Sequence, residues 1–322
     1  MTPMRPEILV ALLALLIVVL YAVFAGADFG GGVWDLLASG PRKVEQRAAV
    51  GAAMSPVWET NHVWLIYLVV LLFTCFPPLF AELGERLFVP MTLVLVGIVF
   101  RGAAFAFRGP ADRDLVPHRI SGFFFGAASI GTPFLLGACA AAIATGTFDW
   151  TRPMALAVGL FAIALCAQLA AVYLCVETTG QLREDFRRRA FAATLVVAAT
   201  GLVALLVARG SEPVLVSQLV APHAVSMVMT AMALSAAVFL LLSVKQVKAA
   251  RVAVALEVAA VLCGWYAAQT PYFAAQLGII DAAAPDATIV SFLWISLAGA
   301  IVLVPSLLLL FAVFKRTPIN VD

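Results

Sequence analysis

The chain has 322 residues, of which 64% are hydrophobic and only 12% are charged, and its formal net charge is +2. Soluble domains typically carry about 25% charged residues, so this composition excludes an ordinary water-facing globular protein. We therefore expect membrane lipid, and no nucleic acid, among its partners.

The apolar residues occur in long runs separated by short charged or Pro/Gly-rich breaks. A helix needs about 20 apolar residues to cross a bilayer core. The sequence predicts an all-α polytopic transmembrane bundle with about nine spans, forming one integral membrane domain over residues 1–322. The spans are predicted at 7–27, 50–75, 78–106, 121–145, 154–177, 190–208, 221–244, 251–273 and 289–314.

The distribution of Lys and Arg predicts the orientation of the chain. The odd-numbered connections and the stretch after the ninth span hold 15 of the 20 basic residues, whereas the N-terminus and the even-numbered connections hold 4. Cytoplasmic connections carry the excess of basic residues. The N-terminus is therefore expected outside and the C-terminus in the cytoplasm.

Ionisable residues inside predicted spans are candidates for function, because a charge near the bilayer centre costs at least about 2.5–3.5 kcal/mol. Asp28 lies in the segment GADFGGG at the cytoplasmic end of the first span. Two interpretations stay open for it. The glycines could end the helix there and leave the carboxylate solvated, or the carboxylate could turn inward to receive or relay a proton.

Glu59 lies deeper, in the segment SPVWETNHVW of the second span. It is 12 residues past Arg47, which is about 18 Å along a helix. A Glu at that depth must be paired, hydrogen-bonded or protonated. We interpret it as a proton carrier, with a structural hydrogen-bond anchor as the alternative. His62 follows at i+3 on the same helix face and is expected to hydrogen-bond Glu59 or to help conduct protons, rather than to ligate haem.

Two further charged residues lie in predicted spans. Arg101 lies about two turns before Arg108, so it either extends down to the cytoplasmic edge or pairs with Asp28 or Glu59. Glu257 lies six residues past Arg251, and for it we expect a shallow interfacial position. The second span also carries Trp58, Trp64 and Tyr67, which either pack in the ordinary way or stack on a quinone ring.

Three ordered segments of the chain resemble subunit II of the cytochrome bd quinol oxidases. These are YAVFAGADFGGGVWDLL, QRAAVGAAMSPVWETNHVWLIYLVVLLFTCFPPLF and GIVFRGAAFAFR, which together cover roughly residues 18–108. The remainder agrees in the number of spans and the loop lengths. The resemblance implies a heterodimer that oxidises quinol and reduces dioxygen to water in the bacterial inner membrane.

In that family, haems b and d and the quinol site belong mostly to subunit I, while subunit II stabilises the complex and contributes to a cytoplasmic proton path. The resemblance therefore implies a haem-bearing partner, and it leaves open a small accessory subunit. Asp28 and Arg101 match residues of the family's motifs, and Glu59 replaces its commoner aspartate. Trp58 matches a tryptophan that contacts a structural quinone in some members.

The sequence also departs from the family, and it admits other functions. Ala25 and Ala106 stand where some members have aspartates, so a path that uses those carboxylates cannot be transferred whole. A proton-coupled secondary transporter would share the carboxylate within the membrane and the proline-broken helix, but no inverted repeat is evident. A haem protein acting alone is a third class, which the scarcity of histidines disfavours.

Overall fold

The computed structural model describes residues 5–106, 116–274 and 277–314. Side chains within these ranges are described except at 55–59, 105–106, 116–121, 274, 311–312 and 314. The chain forms eleven described helices and one short hairpin. The helices are α1 (Pro6–Leu36), α2 (Lys43–Cys75), α3 (Pro77–Arg86), α4 (Phe88–Ala106), α5 (Val116–Ala144), α6 (Pro153–Glu177), α7 (Gly180–Ser211), α8 (Pro213–Leu219), α9 (Pro222–Ser243), α10 (Val247–Gln269) and α11 (Asp286–Phe314). The strands are β1 (Tyr272–Ala274) and β2 (Leu277–Gly278), paired antiparallel.

The all-α polytopic fold is confirmed. Within the described ranges, nine helices of 19 residues or more correspond in order to the nine predicted spans. By length and composition, six described helices are apolar enough to cross a membrane, or seven if a bent pair is counted as one span. The count of about nine therefore agrees roughly with the structure, since the remaining long helices carry more polar residues or are shorter.

The predicted third span, 78–106, is wrong at its start. The chain bends by 116° between the helical segments Thr60–Cys75 and Pro77–Arg86, and the apolar helix α4 begins only at Phe88. Phe76 leaves the helical conformation, with φ −135° and ψ 59°, because the ring of a following proline disfavours the helical region. Pro77 then starts α3, where its missing N–H costs nothing.

The predicted eighth span, 251–273, ends early. Helix α10 stops at Gln269, and the hairpin follows it. The ring of Phe273 packs edge-on against Phe76 with centroids 4.6 Å apart, and the amide of Ala284 donates to the carbonyl of Cys75 at 2.8 Å. The segment that contains the hairpin thereby covers the bend between α2 and α3. The acceptor at the bend is the backbone carbonyl of Cys75.

Helices α1 and α6 form the centre of the bundle. Helix α1 contacts α2, α5, α6, α10 and α11, and α6 contacts α2, α5, α7 and α10 as well as α1. The largest cluster of buried apolar residues joins α1, α2, α6, α7, α9 and α10. At one end of the bundle, Arg42 binds the carboxylate of Asp185 through Nε at 2.7 Å and Nη2 at 2.6 Å, which ties the α1–α2 connection to α7.

Candidate functional site: a buried ion pair between α1 and α4

Asp28 and Arg101 form a buried ion pair. Each of the two residues is only 2% exposed, and Nη1 of Arg101 donates to Oδ2 of Asp28. Nη2 of Arg101 also donates to the backbone carbonyl of Asp28 at 2.6 Å. Of the alternatives for Arg101, the structure thus selects pairing with Asp28, and the buried guanidinium does not reach the protein surface. A charge removed from water needs such a partner, since breaking a buried pair typically costs about 3–5 kcal/mol.

Helix α5 completes the surroundings of the guanidinium. Nε of Arg101 donates to Oγ of Ser129 at 3.0 Å, and that hydroxyl donates onward to the carbonyl of Phe125 at 2.6 Å. The rings of Phe125 and Phe29 lie against the guanidinium, with centroids 4.7 and 5.2 Å from its carbon. Cation–π contacts of this kind stabilise a desolvated cation. Arg101 is therefore held rigidly on several sides.

Glycines of the GADFGGG segment allow this close packing. Helix α1 continues through them to Leu36, so the interpretation in which they end the helix is wrong. A Cβ on Gly32 would lie 1.9 Å from Oγ of Ser129, and one on Gly30 would lie 1.9 Å from the carbonyl oxygen of Cys166. The absence of side chains at these two positions lets α5 and α6 approach α1 directly. This close packing of α5 and α6 against α1 also encloses Asp28.

A small cavity opens beside the ion pair. It contains about 10 Å³ of space for the centre of a water molecule, which is about the volume that one water needs. Asn61 lies at its edge and donates from Nδ2 to Oδ2 of Asp28 at 3.0 Å. The cavity is lined by Tyr21, Asp28, Phe29, Asn61, His62, Leu65, Ile98 and Arg101. The polar part of this lining offers a water both donors and acceptors.

The structure brings together three of the four predicted proton-path residues, Asp28, Arg101 and His62. The side chains of Glu59 and Trp58 lie outside the described residues, so the predicted contact of Glu59 with His62 and the quinone contact of Trp58 stay predictions. Trp64 packs with Tyr21 and Phe29 in an apolar cluster.

Sequence reasoning missed two polar residues that contact the pair, Asn61 and Ser129. Asn61 stands beside Glu59 and His62 in the predicted second span, so its position carried a usable signal. Ser129 carried none, because a single serine in an apolar helix is common and its contact with Arg101 is tertiary.

Glu257 is buried inside the bundle, while the shallow depth in the membrane that we expected for it stays a prediction. Its residue is 2% exposed, and the carboxylate accepts a hydrogen bond from Nε2 of Gln168 at 3.1 Å. The basic residue one and a half turns earlier, Arg251, pairs with Glu177 at 3.7 Å instead. Glu257 therefore lies in the protein interior, apart from the Asp28–Arg101 site.

Comparison with known proteins places these features in a family. The family model for cytochrome bd terminal oxidase subunit II matches residues 6–314. The chain is 27% identical over 198 residues to cytochrome bd ubiquinol oxidase subunit 2 of Bacillus subtilis, covering 55% of this chain and 56% of the relative. It is 28% identical over 191 residues to cytochrome bd-I ubiquinol oxidase subunit 2 of Escherichia coli K12, covering 55% and 50%.

The alignments thus span about half the length of these curated relatives. A solved chain of the bd oxidase from Geobacillus thermodenitrificans has the same fold, with a TM-score of 0.80 at 20% identity, covering 97% of this chain and 99% of that one. The match of the family model over nearly the whole chain decides the assignment. The chain belongs to the cytochrome bd terminal oxidase subunit II family.

Proposed function

We propose that this chain is the subunit II of a membrane-bound quinol oxidase, which couples quinol oxidation to the reduction of dioxygen to water. Its partner is a second polytopic subunit that carries haems b and d. The donor set of this chain supports that division. Of the described histidines, His62 lies half-buried at the cavity and His223 is exposed at the start of α9. Bound haems would supply the electron transfer and the chemistry of dioxygen in the partner.

The role of this chain in the reaction is to deliver protons from the cytoplasm. Reduction of dioxygen to water consumes protons, and these must come from the cytoplasmic side if the reaction is to charge the membrane. The observation that carries this proposal is the buried Asp28–Arg101 pair beside a cavity with room for about one water. Because Arg101 neutralises Asp28, the pair fixes polar groups in the interior without net charge.

Glu59 is the proposed carrier within this path. It lies on α2 two residues before Asn61, which itself bonds Asp28. It is proposed to exchange between a neutral and an ionised form. His62 would pass protons between Glu59 and the cavity. A structural quinone beside Trp58 is a separate proposal that the family resemblance motivates.

A substitution pair tests the path. Glu59→Gln preserves size and hydrogen bonding but removes the titrating group, so we expect an assembled, haem-containing complex whose turnover falls by roughly tenfold or more. Glu59→Asp should retain more activity. The matched control is Glu85→Gln, the same change at an exposed position of α3. The measurement is oxygen consumption divided by haem content, and normal turnover of Glu59→Gln would remove Glu59 from the path.

Purification and topology test the wider assignment. The chain should purify with a second polytopic subunit, and quinol oxidation should need both; full activity from this chain alone would contradict the proposal. We further propose an external N-terminus and a cytoplasmic C-terminus, which the 15-to-4 distribution of basic residues supports. A reporter fused after Arg316 should read cytoplasmic and one between Asp281 and Asp286 external. Reversed readings would move the proton entry to the other side.

A further inference from the structure

Another buried carboxyl group, that of Glu257, lies where helices α6, α7, α9 and α10 meet. It is ten residues, or about 15 Å, along α10. The amide of Gln168 donates to it at 3.1 Å and also donates to Oγ1 of Thr194 at 3.3 Å. Ser235 lies beside the carboxyl from α9. We call Glu257, Gln168, Thr194 and Ser235 the Glu257 cluster.

The Glu257 cluster contains no cation among its described residues. Two basic residues of the surrounding helices pair with other acids instead: Arg251 binds Glu177 at 3.7 Å, and Arg187 binds Glu184 at 2.7 Å. On α1, the guanidinium of Arg101 is paired with Asp28. Helix α9 has no charged residue other than a terminal histidine, if protonated. An ionised Glu257 would therefore be a buried charge without a counter-charge, which is strongly unfavourable.

Two buried atoms of the cluster have no hydrogen-bond partner among the described residues. They are Oε1 of Gln168, whose residue is 0% exposed, and Oγ of Ser235. Both hydrogens of the Gln168 amide are already donated, and the hydroxyl of Thr194 donates to the carbonyl of Ala190 at 2.9 Å. Ser235 brings its own hydroxyl hydrogen, which an ionised Glu257 can accept, so the buried acceptor that still lacks a donor is Oε1 of Gln168. Such a deficit points to a ligand that brings a donor.

We propose that the Glu257 cluster is a second proton-binding site, in which Glu257 is held as a neutral carboxylic acid. A proton supplies the lacking donor and removes the uncompensated charge, and it requires no additional volume. With the side-chain amide of Gln168 turned over, the protonated carboxyl donates to Oε1 of Gln168, and its other oxygen accepts from the hydroxyl of Ser235.

This site is separate from the Asp28–Arg101 pair, because α6 lies between them. Cys166 and Ala170 face α1 at Gly30, and the carbonyl of Ala167 accepts from Nε1 of Trp34 at 2.7 Å. Gln168 follows Cys166 by two residues, about 200° around the helix, so it points to the opposite face toward α7 and α10. The proposal therefore does not depend on the proposed oxidase function.

Infrared spectroscopy of the purified whole complex tests the proposal without measuring turnover. The wild-type-minus-Glu257→Gln difference spectrum should contain one carbonyl-stretch band of a protonated carboxyl, and exchange into D₂O should shift it to lower frequency. Glu177→Gln is the matched control, since Glu177 has Arg251 as a partner and its loss should remove carboxylate bands instead. Loss of carboxylate bands in Glu257→Gln would overturn the proposal.

A second pair of variants covers the case in which Glu257→Gln does not assemble. Ser235→Ala and Thr194→Val keep the carboxyl and should each shift the same band without removing it. A band that neither variant shifts would belong elsewhere and would contradict the proposal. Exchange of sodium for potassium should leave the band unchanged, whereas a carboxylate band that responds to sodium would show a metal cation in place of the proton.

Discussion

Two of the buried carboxyl groups, Asp28 and Glu257, meet the same energetic problem in different ways. Asp28 has a guanidinium partner that is itself held by Ser129 and by two aromatic rings. Glu257 has only amide and hydroxyl neighbours. The cost of a charge in a membrane protein can be offset by a counter-charge or avoided by protonation. A fixed ion pair suits an organising role, whereas a neutral acid with polar neighbours suits the holding of a proton.

The largest expected effect comes from replacing each carboxyl with its amide. Asp28→Asn leaves the buried guanidinium of Arg101 without its counter-charge, so we expect a loss of about 3–5 kcal/mol in the free energy of unfolding. Glu257→Gln exchanges one neutral group for another of similar shape, and we expect a change within about 1 kcal/mol. Equilibrium unfolding of the complex in detergent measures both.

A double variant separates the charge effect from the packing effect. Asp28→Asn combined with Arg101→Met removes both charges. It should recover part of the stability lost with Asp28→Asn alone, since the effects of substitutions at contacting residues are not additive. Equal losses for Asp28→Asn and Glu257→Gln would show that Glu257 is also ionised, and the contrast between the two regions would then fail.

A smaller effect is expected at the helix contact that joins the two regions. Gly30→Ala forces a Cβ to within 1.9 Å of the Cys166 carbonyl, so α1 and α6 must move apart. Overpacking of this kind typically costs about 1–3 kcal/mol. The control is Gly51→Ala, where a Cβ on α2 would meet nothing within 4 Å. Because alanine favours helix over glycine, that variant should be neutral or stabilised by about 0.5–1 kcal/mol. Equal unfolding midpoints would contradict the close contact.

The sequence predicted the spans well, because long apolar runs and alternating basic loops are set by the bilayer. It misjudged the start of the third span, because Pro77–Arg86 forms a separate short helix that carries Glu82, Glu85 and Arg86, and the apolar helix begins only at Phe88. The pairing of Asp28 with Arg101 was one of several options. Composition placed both residues at a similar depth, but only the packing of α1 against α4 and α5 selects the partner.

Glu257 shows the limit of reasoning from position along one helix. Its distance from Arg251 indicated an interfacial group, yet the contacts that bury it come from Gln168 and Thr194 on two other helices. A lone glutamine or threonine in an apolar run gives no signal, since either can bond its own helix backbone. The cluster becomes visible only when α6, α7 and α10 are assembled.

A small effect is also expected for Thr194→Val, which removes one neutral acceptor from the Glu257 cluster with little change of shape. The amide of Gln168 loses its 3.3 Å bond, so we expect a loss of about 1 kcal/mol in the free energy of unfolding. Thr200→Val is the control on the same helix. Its hydroxyl bonds only backbone carbonyls of α7, at 2.7 and 3.2 Å, and the change should be near zero.

Double variants also test whether the Asp28–Arg101 site and the Glu257 cluster are independent. If Thr194 acts through Gln168 and Glu257, the effects of Thr194→Val and Glu257→Gln should differ from additivity by about 0.5 kcal/mol or more, as expected for residues of one network. Thr194→Val and Asp28→Asn should instead be additive, because α6 separates their sites. Additive effects of Thr194→Val and Glu257→Gln would show that these residues do not act as one network. Coupling between Thr194→Val and Asp28→Asn would mean that α6 transmits changes between the ion pair and the neutral acid.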